Sequence, residues 1–191
     1  MLTREAESAG WTKVLAGDRS EFWRLVNPLL EELREAAQRE RDYLVAVGDL
    51  HSDRVVPDEL VHEVLARAWE DRHRKPDDLE VKAWLLGLMY RLLDRLVSER
   101  HQEPLSEMHL PEDADDIRDV IPDPRPTPEE IVLALEEQPQ LLDRVSRRVL
   151  MLHDFHGMSQ RHTGAVVGKS VRETTAILAE ARRLVRAHVS R

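Results

Sequence analysis

The C-terminal stretch GKSVRETTAILAEARRLVR, residues 168–186, contains residue types that suit contact with duplex DNA. Gly168 favours a tight turn, because glycine adopts left-handed backbone angles at little cost. Ser170 and Glu173 have the Ser-x-x-Glu spacing of a capping box, which predicts that a helix begins there. The second helix of a helix-turn-helix begins in this way and enters the major groove. An ordinary helical hairpin has the same local pattern, so the spacing alone leaves both interpretations open.

Helical periodicity divides residues 171–189 into an inner and an outer side. The predicted core stripe contains Val171, Thr174, Ile177 or Leu178, Ala181, and Leu184 or Val185. The residues predicted to face DNA are Ser170, Arg172, Glu173, Thr175 and Ala176, and Ala179 is a further candidate for the exposed side. Further along, Arg182, Arg183 and Arg186 are predicted to meet phosphates, which fix the position of a protein on the duplex.

A second group of cations lies in the charged loop RHRKPDD and in the helix predicted after it. Its members are Arg72, Arg74, Lys75, Lys82, Arg91 and Arg95. The aromatic residues Trp84 and Tyr90 lie among them, and cations with aromatic faces are what single-stranded DNA binding requires. The alternative interpretation leaves the cations solvated and puts Trp84 in the core, as its place on an apolar stripe favours.

The stretch PDELVHEVLARAWE, residues 57–70, predicts an amphipathic helix with an acidic outer side. That side contains Asp58, Glu59, His62 and Glu63. Such a surface is either simply solvated or complementary to a basic partner helix.

Nothing in the sequence supports catalysis. The chain has no cysteine, which excludes disulfides, thiolate catalysis and zinc–cysteine sites. It also has no phosphate-binding glycine loop and no nucleophile elbow. His153, Asp154, His156 and His162 lie close in sequence, but no zincin-type motif accompanies them, so we predict no metal, no cofactor and no enzymatic activity.

The elements that would position these residues are all helical. Ala, Leu, Glu and Arg are abundant and aromatic residues make up only 4% of the chain, which favours an all-α fold. Helices are predicted at Glu5–Leu15, from Ser20 with a kink or restart at Pro28, from Pro57, and at Leu79–Arg100, Glu130–Glu137, Gln140–Phe155, Ser159–Val167 and Val171–Val189. The predicted apolar side of the Leu79–Arg100 helix contains Val81, Trp84, Leu85, Leu88, Leu92 and Leu96.

The charge distribution predicts two helical domains, residues 1–100 and 129–191, joined by a linker at 101–128. The net charge of −9 is uneven: residues 1–100 carry −5, residues 101–130 carry −8 and residues 131–191 carry +4. The linker is acidic and contains six prolines, so it cannot form a core. The chain shows neither a membrane span nor an apolar signal core, so we expect a cytoplasmic protein.

These motifs, in this order, resemble an extracytoplasmic-function (ECF) sigma factor of bacterial RNA polymerase. The stretch VLAGDRSEFWRLV is similar to the family's usual start, and DELVHEVLARAW resembles its polymerase-docking helix, with His62 in place of the usual glutamine. KAWLLGLMYRLLDRL resembles the promoter-melting helix. VLMLHDFHGMSQRHTGAVVGKSVRETTAILAEARRLVR is similar to the final, promoter-reading region.

The resemblance implies a function and partners. Asp58, Glu59, His62 and Glu63 would bind the clamp helices of the beta-prime subunit of RNA polymerase core. The Arg72–Lys75 loop and the next helix would hold flipped-out bases of the minus-ten promoter element. The Ser170 helix would read the minus-thirty-five element, while its domain binds the beta flap. An anti-sigma factor is a further implied partner, and the acidic linker would thread toward the polymerase active-site cleft.

Departures from the family pattern leave a second interpretation open. Thr175, Ile177 and Glu180 stand where the family usually has basic residues, and His162-Thr163-Gly164 replaces the usual Glu-Ile-Ala. Each lost phosphate contact removes a salt-dependent part of the affinity for DNA. The chain is therefore either a sigma factor with an atypical promoter preference or a sigma-like adaptor that binds polymerase or an anti-sigma factor without reading DNA. A helical scaffold with neither partner is a third reading, which the acidic linker disfavours.

Overall fold

The computed structural model describes residues 4–101 and 126–190, and every regular element within them is a helix. The predicted all-α class is therefore confirmed. These residues form two compact units, one on each side of residues 102–125. Most of the predicted acidic linker lies outside the described residues. No helix in the described part of the chain is long and apolar enough to cross a membrane.

Within residues 4–101, the first unit contains five α-helices: α1 Arg4–Leu15, α2 Arg19–Val26, α3 Leu30–Ala46, α4 Pro57–Glu70 and α5 Val81–His101. The predicted cap of α2 was wrong by two residues. The cap is Asp18 and not Ser20, because the Asp18 carboxylate accepts a hydrogen bond of 3.0 Å from the backbone N–H of Glu21 in the first turn. Of the kink or restart predicted at Pro28, the structure shows a restart. A short 3₁₀ turn at Asn27–Leu29 separates α2 from α3, since proline cannot donate the hydrogen bond that would continue α2.

Helix α5 lies at the centre of the first unit and packs against α2, α3 and α4. Its predicted apolar stripe was partly wrong, since Leu88, Leu92 and Leu96 are only half-buried. The buried side chains of α5 include Val81, Trp84, Leu85, Leu86, Met89, Tyr90, Leu93 and Val97. Neighbours on several sides bury more than one helical stripe, so a one-faced pattern could not identify the core positions.

Helix α1 is joined to the start of α5 by a long-range cap. The Glu7 carboxylate accepts a hydrogen bond of 2.8 Å from the backbone N–H of Val81, 74 residues later. One turn along α1, the Trp11 ring packs edge-on against Trp84, with ring centroids 5.3 Å apart. The first helix thus stabilises the beginning of the central one.

The second unit contains α6 Pro128–Glu137, α7 Arg144–Leu150, α8 Gln160–Val167 and α9 Val171–Val189. Thr127 and Glu130 form a capping box at α6, as expected for a cap at Thr127. The helix predicted from Gln140 begins only at Arg144, because Asp143 caps it there and a 3₁₀ turn occupies Pro139–Leu141. It then continues as a π-helical segment, Met151–Phe155. The core of this unit contains Ile131, Ala134, Leu135, Leu142, Val149, Leu150, Met151, Leu178, Ala181 and Val185.

Candidate nucleic-acid and partner interfaces

The connection between α8 and α9 has the predicted turn and cap. Gly168 adopts left-handed backbone angles, with φ +70°, and ends α8. The Ser170 hydroxyl accepts from the backbone N–H of Glu173 at 3.2 Å, while the Glu173 carboxylate accepts from the backbone N–H of Ser170 at 2.9 Å. Hydrogen bonds from the Ser170 backbone and hydroxyl lower the pKa of Glu173. Both side chains, which we predicted to face DNA, are therefore engaged in holding the start of α9.

Gly164 permits the close approach of α8 to this turn. A Cβ atom at this position would lie 2.5 Å from the carbonyl oxygen of Lys169 and 2.9 Å from Oγ1 of Thr174. Real side chains do not tolerate such distances, so any residue larger than glycine would displace the turn. The glycine at position 164 thus has a packing reason that the sequence did not reveal.

Thr175 contacts α8 as well as its own helix. Its Oγ1 lies 2.6 Å from Oε1 of the buried Gln160 and 2.9 Å from the carbonyl oxygen of Val171. The side chain is half-buried. The structure therefore places Thr175 between the two helices of the hairpin, and not with the fully exposed residues of α9.

The outward stripe of α9 contains Arg172, Ala176, Ala179 and Arg183, all of them exposed. Their spacing of four, three and four residues puts them on one side of the helix. Arg183 forms an ion pair with Glu180, with Nη2 2.6 Å from Oε1. Arg172 has no ion pair within residues 4–101 and 126–190, so its guanidinium is available to a ligand.

Arg182 is not on this stripe, and the structure replaces its predicted phosphate contact with an internal one. Its Nε and Nη2 donate to the Asp154 carboxylate at 2.8 and 2.6 Å. Only 11% of the Arg182 side chain and 5% of the Asp154 side chain are exposed. The pair connects α9 to the π-helical end of α7.

The three histidines that lie close in sequence, His153, His156 and His162, are largely shielded from solvent. Nδ1 of His153 lies 2.8 Å from Oδ1 of Asp154. Burial alone would raise the pKa of Asp154, but the hydrogen bonds from Arg182 and His153 outweigh it and lower the pKa to about 2. His156 and His162 are buried. Within the described ranges, no three His, Cys, Asp or Glu side chains are grouped to hold a metal ion.

In the first unit, the acidic side of α4 is exposed along its length. Asp58, Glu59, His62 and Glu63 recur at helical spacing, and all four are exposed. Arg34 of α3 donates to Asp58 at 2.5 Å, and Arg67 donates to Glu63 at 2.9 Å. The structure thus brings the four predicted residues together on one surface, where two of the three carboxylates already have a cationic neighbour.

The loop after α4 divides its predicted cations into two groups. Arg74 is 82% exposed and lies 3.2 Å from Asp71, while Arg72 packs over the Trp69 ring, with Cζ 4.6 Å from the ring centroid. Lys75 is buried, and its amine donates to the carbonyl oxygens of Pro76 and Leu79. Burial lowers the pKa of Lys75. Lys75 therefore holds the loop together, and only Arg72 and Arg74 present cations at its surface.

The helix after the loop offers less to a nucleic acid than predicted. Lys82 pairs with Glu32 at 2.5 Å, Arg91 is half-buried and Arg95 is exposed. Trp84 and Tyr90 are buried, which confirms the core alternative for Trp84 and withdraws both rings from stacking. The exposed aromatic residue is Trp23 of α2, with 46% of its surface accessible. Sequence reasoning missed it, because it adjoins Phe22 in an apolar run and periodicity singled out only Phe22.

Comparison with known proteins identifies the fold. No protein-family model matches the chain, and no curated protein matches it. The solved structure of CnrH in complex with the cytosolic domain of CnrY matches with a TM-score of 0.60 and 21% identity, covering 95% of both chains. The sigma factor RpoE, solved in complex with the anti-sigma factor NepR from Bartonella quintana, matches with a TM-score of 0.57 and 16% identity, covering 89% of this chain and 97% of the other. The chain therefore has the two-unit helical fold of the sigma factor RpoE.

Proposed function

We propose that this protein is an alternative, ECF-type sigma factor that directs RNA polymerase core to specific promoters. One observation carries the proposal: within a fold shared with a sigma factor over most of the chain, the acidic side of α4 is exposed where the resemblance to ECF sigma factors implied a polymerase-docking surface. A sigma factor has no catalytic activity of its own and needs no cofactor. Its place of action is the cytoplasm, with polymerase.

In the proposed mechanism, Asp58, Glu59, His62 and Glu63 dock on the basic clamp helices of the beta-prime subunit. Opposite charges across such an interface increase the association rate and set the orientation of the partners. Arg72 and Arg74 hold the separated strand of the minus-ten element. Flipping a base out of the duplex costs a few kcal/mol, so contacts made only to the open strand favour melting.

The second unit would read the minus-thirty-five element through the outward stripe of α9 and bind the beta flap. Arg172 is its exposed cation for a base edge, because a guanidinium can donate two hydrogen bonds to a guanine. Ala176 and Ala179 are small and apolar, which suits contact with thymine methyl groups. Since Arg182 is engaged internally, phosphate contacts would fall to Arg183 and to residues outside this stripe.

The docking surface can be tested by charge reversal. The variant Asp58→Lys, Glu59→Lys, Glu63→Lys should no longer co-elute with core polymerase, because three carboxylates opposite a basic surface become cations. A matched variant reverses three exposed acidic residues outside α4, Glu5, Glu35 and Asp42, and should bind core normally. Equal co-elution of both variants would exclude this surface as the docking site.

A second candidate function is that of an adaptor that binds polymerase or an anti-sigma factor without reading DNA. Two observations on α9 favour it: Thr175 and Arg182 lie inward, and Arg183 pairs with Glu180. With Arg182 and Arg183 engaged, few cations of α9 remain for contact with a duplex. Sequencing of run-off transcripts made from genomic fragments with core and this protein separates the two functions. Defined start sites support the sigma factor, while co-elution with core without any transcript supports the adaptor.

A further inference from the structure

An aromatic cluster in the first unit reaches the surface at Trp23. The buried Phe22 ring packs edge-on against Trp23 and Trp69, with ring centroids 6.0 and 5.5 Å away. The third neighbour of Phe22 is the buried Trp11, whose ring centroid is 6.5 Å away. One core ring thus supports two indoles, of which Trp69 is half-buried and Trp23 is exposed.

Two arginines from different elements converge on the same indole. Cζ of Arg72, from the loop after α4, lies 4.6 Å from the Trp69 ring centroid, and Cζ of Arg19, from the first turn of α2, lies 5.3 Å from it. Arg19 and Trp23 are four residues apart on α2, so they share one side of that helix. Arg19, Trp23, Trp69 and Arg72 therefore form one continuous surface, called here the Trp23–Trp69 surface.

The charges around this surface favour an anionic ligand. Arg19 is exposed, and neither it nor Arg72 forms an ion pair with a carboxylate in the described parts of the chain. Of the acidic residues adjacent in sequence, Asp18 caps α2 and Asp71 lies 3.2 Å from Arg74, while Glu70 is exposed. Arg72 is half-buried and its Nη1 donates to the carbonyl oxygen of Trp69 at 2.8 Å, so Arg19 is the exposed guanidinium of this surface. A guanidinium can lie flat on an indole and still donate from its edge to a phosphate.

We propose that the Trp23–Trp69 surface binds single-stranded DNA, with a base stacked on Trp23 and phosphates held by Arg19 and Arg72. The inference rests on the proposed function, in which Arg72 and Arg74 hold an open strand, and it extends that site onto α2. An indole can stack on a base only when the base is unpaired, whereas the arginines attract any phosphate backbone. The combination therefore selects a single strand over a duplex.

The test measures binding of the full-length chain to a fluorescently labelled oligonucleotide of about 16 nucleotides, the upper end of the site size of one single-strand-binding module. Trp23→Ala should weaken binding about 5-fold or more, from the increment measured per stacked base, and Trp23→Phe should retain most of the affinity. Arg19→Ala should reduce the slope of log affinity against log salt concentration by about 0.7, the value for one lost contact to a single strand.

Two variants of similar exposure serve as controls. Val56→Ala shortens another exposed apolar side chain of the first unit, which is 48% accessible against 46% for Trp23. Arg24→Ala removes an exposed arginine of α2 that is paired with Glu21. Both should bind like wild type, and circular dichroism should show that all variants are folded.

Wild-type affinity of Trp23→Ala would overturn the inference, as would equal affinity of the wild-type chain for the same sequence in duplex form. Tighter binding to RNA of the same sequence would also overturn the assignment to DNA. The proposed function is judged separately, by transcription with core polymerase. If transcription occurs and Arg74→Ala weakens binding while Trp23→Ala does not, only the extension to α2 fails.

Discussion

The buried pair between Asp154 and Arg182 should contribute measurably to the stability of the second unit. Two hydrogen bonds of 2.8 and 2.6 Å join the side chains, and His153 supplies a further contact to the carboxylate. Asp154→Asn keeps the shape of the side chain and removes its charge. The substitution leaves the Arg182 guanidinium with little access to water and without its anion, and unpaired buried charges are costly.

The magnitude follows from the pKa of Asp154, which falls from 3.8 to about 2 in the folded protein. That difference corresponds to about 2.5 kcal/mol of the free energy of unfolding at pH 7. Because the folded state has the lower pKa, this stabilisation is fully present above the unfolded pKa of 3.8. It is lost as the pH falls through the folded pKa of about 2. Asp154→Asn should lack both the stabilisation and this part of the pH dependence.

Urea unfolding followed by two signals gives the assay its internal control. All four tryptophans lie in the first unit, so their fluorescence reports on that unit, whereas far-ultraviolet circular dichroism reports on both. Asp154→Asn should lower the free energy of unfolding detected by circular dichroism by about 2.5 kcal/mol at pH 7. The transition detected by tryptophan fluorescence should stay unchanged. Glu180→Gln, which breaks the pair with Arg183, should change the stability little, because both side chains are exposed to water. Equal stability of Asp154→Asn and wild type at pH 7 would refute the reasoning.

Three further substitutions test local features of the two units. Gly164→Ala places a Cβ 2.5 Å from the Lys169 carbonyl oxygen and should lower the free energy of unfolding of the second unit by about 1–3 kcal/mol. Thermal unfolding followed by circular dichroism measures this change, and an unchanged transition would show that the turn adapts freely. Glu7→Ala removes the cap of α5 and should destabilise the first unit by about 1 kcal/mol in tryptophan-detected unfolding, whereas Glu5→Ala, at an exposed position of the same helix, should have little effect. Arg172→Ala should weaken duplex binding at one or two base positions by about 1–3 kcal/mol, as measured by sequencing the bound fraction of a random library; an unchanged preference would assign Arg172 to general surface charge.

Local sequence signals were sufficient for most of the secondary structure. The restart at Pro28, the start of α4 at Pro57 and the caps at Thr127 and Ser170 all appear as predicted. Each depends on residues within one helical turn of one another, so a short stretch of sequence contains the whole interaction. The errors arose where two local signals competed, as at Asp18 and Ser20.

The candidate site was less predictable than the helices that support it. Periodicity identified the exposed side of α4 and the outward positions of α9, because it reports which side of a helix is apolar. It could not tell an arginine that faces solvent from one whose partner lies elsewhere in the fold. Arg182 was therefore predicted to contact DNA, although the structure buries it against Asp154. Lys75 was also predicted to contact DNA, but its buried amine donates to the carbonyl oxygens of Pro76 and Leu79 in its own loop.

The sequence by itself determined the helical class, the main turns and caps, and the acidic side of α4. Only the tertiary structure decided which charged and aromatic side chains are available to a partner. Asp154 and Arg182 are 28 residues apart, and Arg19 reaches Trp69 across 50 residues. Such pairs form when helices distant in sequence pack together, and no local propensity encodes which of their sides will meet.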